Sequence, residues 1–176
     1  MLDRDAATFV ESIGARVDTD ERGPVITGPV QLSSDEALTG LRHLAGSVPA
    51  QYVLLGTLTT DPASRVAEHD RVGRLAIRID TKHLVVVGAA ARPMYAGAFL
   101  EGSFGGEIVF AETAQRAADD VQTQLREGVL WVAGNTEDLV ERVRRVIVQI
   151  REESIVKRYG GADGNGHQSS AEDEAE

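Results

Sequence analysis

A chain of 176 residues is long enough for one domain with a full core and too short for two large ones. Its hydrophobic fraction of 42% is ordinary for a soluble globule, and no apolar run approaches the ~20 residues of a membrane helix. The net charge of −10 argues against a general nucleic-acid-binding surface. The absence of cysteine removes disulfides, thiolate chemistry and cysteine-based metal sites. The first residues show no basic segment followed by an apolar one, so no secretory signal is expected, and the chain reads as cytoplasmic.

Residues 2–14 are expected to form a short helix, with Leu2, Ala6, Phe9, Val10 and Ile13 at helical spacing and Gly14 as its cap. Two short strands follow, Arg16-Val17-Asp18 and Val25-Ile26-Thr27, joined by a turn over residues 20–23. Ser33 and Glu36 fit a capping box that opens a second helix, and Gly46 is expected to close it. Residues 52–55 read as a strand. Pro62 then opens a helix to about Ile79, with Asp61 as its cap and Val66, Val72, Leu75, Ala76 and Ile79 inward. Residues 84–87 form a β-branched strand. Residues 89–98 form a small-residue helix that Pro93 shortens or bends. A strand at 108–110 precedes a helix capped by Thr113. A strand at 129–132 precedes a long helix capped by Asn135 or Thr136, with Leu139, Val143, Val146, Ile147 and Ile150 on one side. Continuous apolar strands, each followed by a helix, indicate an α/β domain with a mostly parallel sheet covered on both faces. The residues after Tyr159 are polar and small and should be disordered.

The strand–loop–helix unit over residues 51–73 is where such a fold presents ligands, at the carboxyl end of a strand. Gly56, Gly88 and Gly134 end three strands. Glycines there admit an anion close to backbone N–H groups, and they equally suit tight turns. No phosphate-binding glycine motif accompanies them, so the turn role is favoured. His69 lies between Val66 and Val72 on the apolar face. A hydrogen bond from it to a neighbouring loop is favoured over a role as base. His43 and His83 lack acidic or histidine partners at ligand spacing, so no metal site is expected. Asp61 reads as a cap, and Glu68, Asp70 and Asp80 as solvated helix positions. No nucleophile stands out. Trp131, inside an apolar strand, reads as core.

Leu54-Leu55-Gly56, then His69, then Val72-Gly73 resemble the V-L-G…H…V-G spacing of the Mur ligase C-terminal domain. Of that family, the member adding D-alanyl-D-alanine to UDP-N-acetylmuramoyl-tripeptide is the most similar. Residues 84–91 resemble its V-x-V-G-x-x-A segment. Residues 128–134 resemble the strand that carries K-G-S-R, and residues 139–143 the helix after it. Gly14-Ala15-Arg16-Val17 is similar to the segment leading into the domain, and residues 34–41 to the helix after D-x-Y-N-A-N-P. The resemblance reaches to about Ile150.

It implies a Rossmann-like three-layer fold preceded by a short helix and hairpin. Residues 1–32 would lead into the domain, 33–158 would form it, and 159–176 would be an acidic tail. In the family this domain closes over ATP held by the central domain and helps bind the incoming amino acid or dipeptide. Here residues 28–34 replace D-x-Y-N-A-N-P. Thr57 and Thr60 stand for the family's carboxylates, and Ala133 and Thr136 for its Lys and Arg. With fixed charges of both signs missing, little phosphoryl chemistry is expected from the chain alone. The resemblance implies an accessory or binding module of cell-wall precursor or peptide-ligase machinery, with no catalytic residue and no cofactor. One alternative is a subunit of a split ATP-dependent carboxylate–amine ligase, with ATP bound only when a partner completes it. Another is a small-ligand sensor. Candidate ligand-binding residues are Gly56, Thr57, Thr60, His69, Gly88, Gly134 and Asn135. A protein partner is expected, with a ligase or a cell-wall component as the options, and neither nucleic acid nor membrane. A homodimer through the last helix is an option, with packing of that helix on the sheet preferred.

Overall fold

The computed structural model describes residues 2–19, 23–47, 51–102, 105–125, 128–135 and 138–159, and the backbone alone for residues 46, 47 and 150–159. The disorder expected after Tyr159 and the turn at 20–22 lie outside these residues.

Helix α1 (Arg4–Ser12) begins where the Asp3 carboxylate accepts the Ala6 N–H at 2.8 Å. Gly14, at φ +68°, takes the left-handed position after it. Strands β1 (Arg16–Thr19) and β2 (Pro24–Thr27) pair antiparallel. The capping box opens α2 (Ser34–Ser47). The Glu36 carboxylate accepts the Ser33 N–H at 2.8 Å, and the Ser33 hydroxyl accepts the Glu36 N–H at 3.3 Å. Then β3 (Gln51–Leu55), α3 (Arg65–Arg78), β4 (His83–Val87), α4 (Arg92–Leu100), β5 (Glu107–Ala111), α5 (Ala114–Gln124), β6 (Val129–Ala133) and α6 (Leu139–Tyr159) alternate along the chain.

The six strands form one sheet in the order β1-β2-β6-β3-β4-β5. All neighbours are parallel except β1 and β2, so the expected α/β, Rossmann-like architecture is the observed one. The hairpin belongs to the same sheet, because β2 pairs with β6. Burial on both faces explains the continuous apolar strands: every residue of β4 and β6 is buried. One core lies under α1 to α4, where Leu41, Val72, Met94 and Trp131 meet. The other lies under α5 and α6, where Val121, Leu139, Val143 and Ile147 meet Leu54, Val85 and Val132. Helix α6 thus packs its apolar face on the sheet. Trp131 is core, and its ring N–H donates to the Gly28 carbonyl at 3.2 Å.

Several local expectations are corrected. Helix α3 begins at Arg65, not Pro62. The Asp61 carboxylate accepts the Ala63 N–H at 2.9 Å, which folds residues 61–64 into a turn instead of capping a helix. Val66 is therefore on the outer face, 66% exposed. Helix α2 runs past Gly46 to Ser47. Pro93 does not bend its helix, because it occupies the first turn, where its missing N–H is not needed. A single 3-10 turn (Ala89–Ala91) precedes it. Asn135 does not cap α6. It pairs with Thr57, and the helix starts after Asp138, which has φ +54°.

Thr113 caps α5 as expected, its hydroxyl accepting the Arg116 N–H at 3.2 Å. Thr113→Ala should lower stability by about 1 kcal/mol. Urea unfolding would show it as a lower midpoint at unchanged slope.

Candidate functional site

The chain crosses from one face of the sheet to the other between β3 and β6. These strands are neighbours, yet α3 follows the first on one face and α6 follows the second on the other. In open parallel sheets the crevice outside such a switch point is where ligands bind.

Four of the candidate residues meet there. The Thr57 N–H donates to the Asn135 carbonyl at 3.3 Å, and the Asn135 N–H to the Thr57 carbonyl at 2.7 Å. Gly56 donates to the Ala133 carbonyl at 2.9 Å, extending the β3–β6 ladder. Gly134 has φ +94°, and a Cβ on it would sit 2.9 Å from the Gly56 backbone. Here glycine is required both by the left-handed conformation and by the close approach of a second chain segment. The loop after β2 joins the same surface. Gly134 donates to the Pro29 carbonyl at 3.0 Å, Gly28 to the Val132 carbonyl at 2.7 Å, and Thr59 to the Leu32 carbonyl at 2.8 Å. Three loops are thus bound together by backbone hydrogen bonds. Gly88 is one strand away at the end of β4, where its N–H donates to the Ala111 carbonyl at 2.9 Å. Thr60 lies further along the β3–α3 loop. Its hydroxyl oxygen is buried and has no hydrogen-bond partner among the described residues.

His69 reaches this loop from α3. It is fully buried. Its Nε2 accepts the Leu58 N–H at 3.0 Å, and its Nδ1 donates to the Arg65 carbonyl at 2.8 Å. These partners assign the neutral tautomer with the proton on Nδ1. Burial holds the imidazole below its ordinary pKa. Both ring nitrogens are therefore committed to the backbone.

Glu68 is not simply solvated, as its helix position suggested. Its carboxylate accepts the Ser34 hydroxyl at 2.6 Å and the Ser64 hydroxyl as well, tying α3 to the start of α2 and to the turn before α3. The Ser34 bond first, then the Ser64 bond, holds this carboxyl below the usual range. Asp70 is likewise paired, with Arg74 at 2.8 Å, and Arg74 and Arg78 both reach Glu101.

Chemically, the switch point offers backbone groups and neutral hydroxyls. Residues 28–34, 56–60 and 134–135 contain no charged side chain. Such stretches can hydrogen-bond a ligand through backbone groups and hydroxyls, and the nearest charged residues in the same described loops are Asp61 and Asp138. Among the described residues no group of three His, Cys, Asp or Glu could hold a metal ion. His83, expected to lack an acidic partner, has two. Its Nε2 lies 2.5 Å from Asp120 and its Nδ1 3.3 Å from Glu107. Its place at the start of β4 puts this cluster at the opposite end of the sheet from the switch point.

The ligase of Mycobacterium bovis that joins UDP-N-acetylmuramoyl-tripeptide and D-alanyl-D-alanine is 38% identical over 89 residues, 49% of this chain and 18% of that protein. Its Mycobacterium leprae counterpart is 37% identical over 79 residues, 44% of this chain and 15% of that protein. The fold matches the Thermotoga maritima MurF ligase solved with ADP, at a TM-score of 0.60 and 13% identity, over 79% of this chain and 31% of that one. MurF from Acinetobacter baumannii matches at 0.60 and 15% identity, over 78% and 30%.

The chain resembles the Mur ligases in sequence over about half its length, and in fold.

The chain spans less than a fifth of the curated relatives it matches. No family model matches it. In this domain the Gly56, His69 and Gly73 spacing has a local physical account. Gly56 runs against Gly134, His69 holds the loop that Gly56 begins, and Gly73 admits α4 against α3. Among the described residues no helix is long and apolar enough to cross a membrane.

Proposed function

We propose that this domain is a binding or accessory module of cell-wall precursor or peptide-ligase machinery that does not catalyse ligation by itself. One observation carries the reading. The scaffold resembles that of a Mur ligase C-terminal domain, while residues 28–34, 56–60 and 134–135 at its switch point include no charged side chain. Thr57, Thr60 and Ala133 stand where the family resemblance would place charged groups. Phosphoryl transfer depends on positioned charge, and a hydroxyl cannot supply it. The hydrogen-bonding loops would instead serve recognition, with Thr57 and Asn135 facing the ligand or partner.

A thermal-shift series with D-alanyl-D-alanine, a UDP-N-acetylmuramoyl-peptide and ATP tests this. A ligand that binds the native state alone at about a hundredfold excess over Kd adds about 2.7 kcal/mol. The reading expects stabilisation by the precursor or dipeptide, or by none of the three, and no stabilisation by ATP. Stabilisation by ATP would favour a subunit of a split ATP-dependent ligase and overturn the reading.

A further inference from the structure

The sheet has two edges, and they differ. Edge strand β1 is short and exposed, with Arg16, Asp18 and Thr19 along it. Edge strand β5 carries Ile108, Val109 and Phe110 in succession, pairs with β4 only, and has neither proline nor lysine to blunt it. Its ladder is phased by two bonds: Glu107 donates to the Lys82 carbonyl at 3.0 Å, and the Ala111 carbonyl accepts the Gly88 N–H at 2.9 Å. In a parallel pair alternate residues bond to the same neighbour. Residues 107, 109 and 111 therefore face β4, and the N–H and C=O groups of Ile108 and Phe110 point outward.

The side chains of those same two residues lie on the α4 face, beside Tyr95. A row of rings continues from there. Phe110 and Tyr95 have centroids 5.8 Å apart, and Tyr95 stacks on Phe99 at 6.3 Å. Phe99 and Leu100 are 68% and 67% exposed, large values for apolar side chains. Arg92 covers the Phe110 ring, its guanidinium 4.7 Å from the centroid. Among the described residues it forms no ion pair, whereas on the neighbouring helix Arg74 pairs with Asp70 and Glu101, and Arg78 with Glu101. In a chain of net charge −10, an exposed cation without an ion pair among the described residues, set on the half-buried Phe110 ring, marks a place for a carboxylate brought from outside.

We propose that the β5 edge docks an extended segment of a partner polypeptide. That segment pairs its backbone with Ile108 and Phe110, sets a carboxylate side chain beside Arg92, and lays apolar side chains against Ile108, Tyr95 and Phe99. Strand addition of this kind takes affinity from main-chain bonds and specificity from alternate side chains. A second copy of this chain fits less well. An antiparallel β5 pair centred on Val109 would set Ile108 against Phe110 and bring no carboxylate to Arg92 on that face. The proposal uses a different edge from the switch point and stands or falls separately from the function proposed there.

The test uses the full chain and two capped peptides, Thr-Val-Thr-Glu-Thr-Val-Thr and the same sequence with Lys for Glu. Amide exchange and chemical shifts are followed by NMR. The glutamate peptide should protect the Ile108 and Phe110 amides and bind about fivefold or more tightly than the lysine peptide. Arg92→Glu should reverse that preference. Because Arg92 is exposed, the variant should keep the fold, which its remaining amide shifts would verify. The proposal is overturned if neither peptide protects Ile108 and Phe110, if both bind equally, or if those amides are already protected by a concentration-dependent dimer of the chain.

Discussion

Gly73→Ala should destabilise the protein by about 3 kcal/mol, at the upper end of what overpacking costs. Helices α3 and α4 touch backbone to backbone. A Cβ on Gly73 would lie 1.9 Å from the Met94 carbonyl oxygen and 3.0 Å from the Ala98 nitrogen. The contact is reciprocal, since a Cβ on Gly97 would lie 2.5 Å from the Asp70 carbonyl oxygen. Backbone cannot rotate aside as a side chain can, so the helices must separate. Separation would loosen Val72, Met94 and Ala98, all fully or almost fully buried, and with them the core on that face of the sheet. Urea unfolding measures the loss. Gly105→Ala is the control: nothing lies within 4 Å of its Cβ position, so the change should stay within about 0.5 kcal/mol. A wild-type midpoint for Gly73→Ala would show that the two helices do not meet as described.

His69→Ala should cost a similar amount, about 3 kcal/mol, from two sources. It leaves the buried Leu58 N–H without its acceptor, which alone costs about 1–3 kcal/mol, and it opens a cavity under the β3–α3 loop. The variant should also change the pH dependence. Burial lowers the folded-state pKa of His69 below its ordinary value of 6.5. The unfolded chain therefore binds the proton first as pH falls. The stability that neutral His69 contributes is complete above about pH 6.5 and is lost as pH drops below that value toward the folded-state pKa. For a single group the slope does not exceed about 1.4 kcal/mol per pH unit. Glu68 and Glu101, whose carboxyls are held below 4.5, act in a lower window, below about pH 4.5. Chemical denaturation at half-unit steps from pH 7.5 to 5 should show stability declining on the acid side in the wild type. In His69→Ala that decline should flatten. An unchanged decline in the variant would assign it to another group.

Much of this was legible in the sequence because it is local or periodic. The buried strands announce themselves as unbroken apolar runs. Ser33 with Glu36, and Thr113 before α5, form the caps their spacing suggests, since a cap needs only the next three residues. The start of α3 departs from its sequence signal for an equally local reason. Pro62 is acceptable in a first helical turn, but the Asp61 carboxylate takes the Ala63 N–H and folds a turn there, and the helix follows later with Val66 turned outward. The candidate site was legible as a set of strand ends and not as an arrangement. That Thr57 would pair with Asn135, and Gly134 press on Gly56, depends on β6 being inserted between β2 and β3, which no local pattern encodes. His83 is a similar case. Asp120 and Glu107 come to it from α5 and β5, so a search for partners at ligand spacing along the chain passes over them. Glu68 looked like a solvated helix position because Ser34, the residue that binds it, belongs to another helix.

The stretch from Gly56 to Gly73 therefore has a double character. Its glycines and histidine hold the β3–α3 unit to its neighbours, which explains their spacing without invoking catalysis. The polar positions directly after Gly56, namely Thr57, Thr59 and Thr60, are neutral. A framework kept for packing reasons can persist while the groups set upon it change, and function has to be argued from those groups.

The most direct measurement is an assay for ATP-dependent amide formation by the purified chain, supplied with Mg-ATP, UDP-N-acetylmuramoyl-tripeptide and D-alanyl-D-alanine. Phosphate release and the ligated product would be followed together. The proposed binding or accessory role predicts neither above the enzyme-free blank. Formation of the amide, coupled to phosphate release and lost when D-alanyl-D-alanine is omitted, would contradict it.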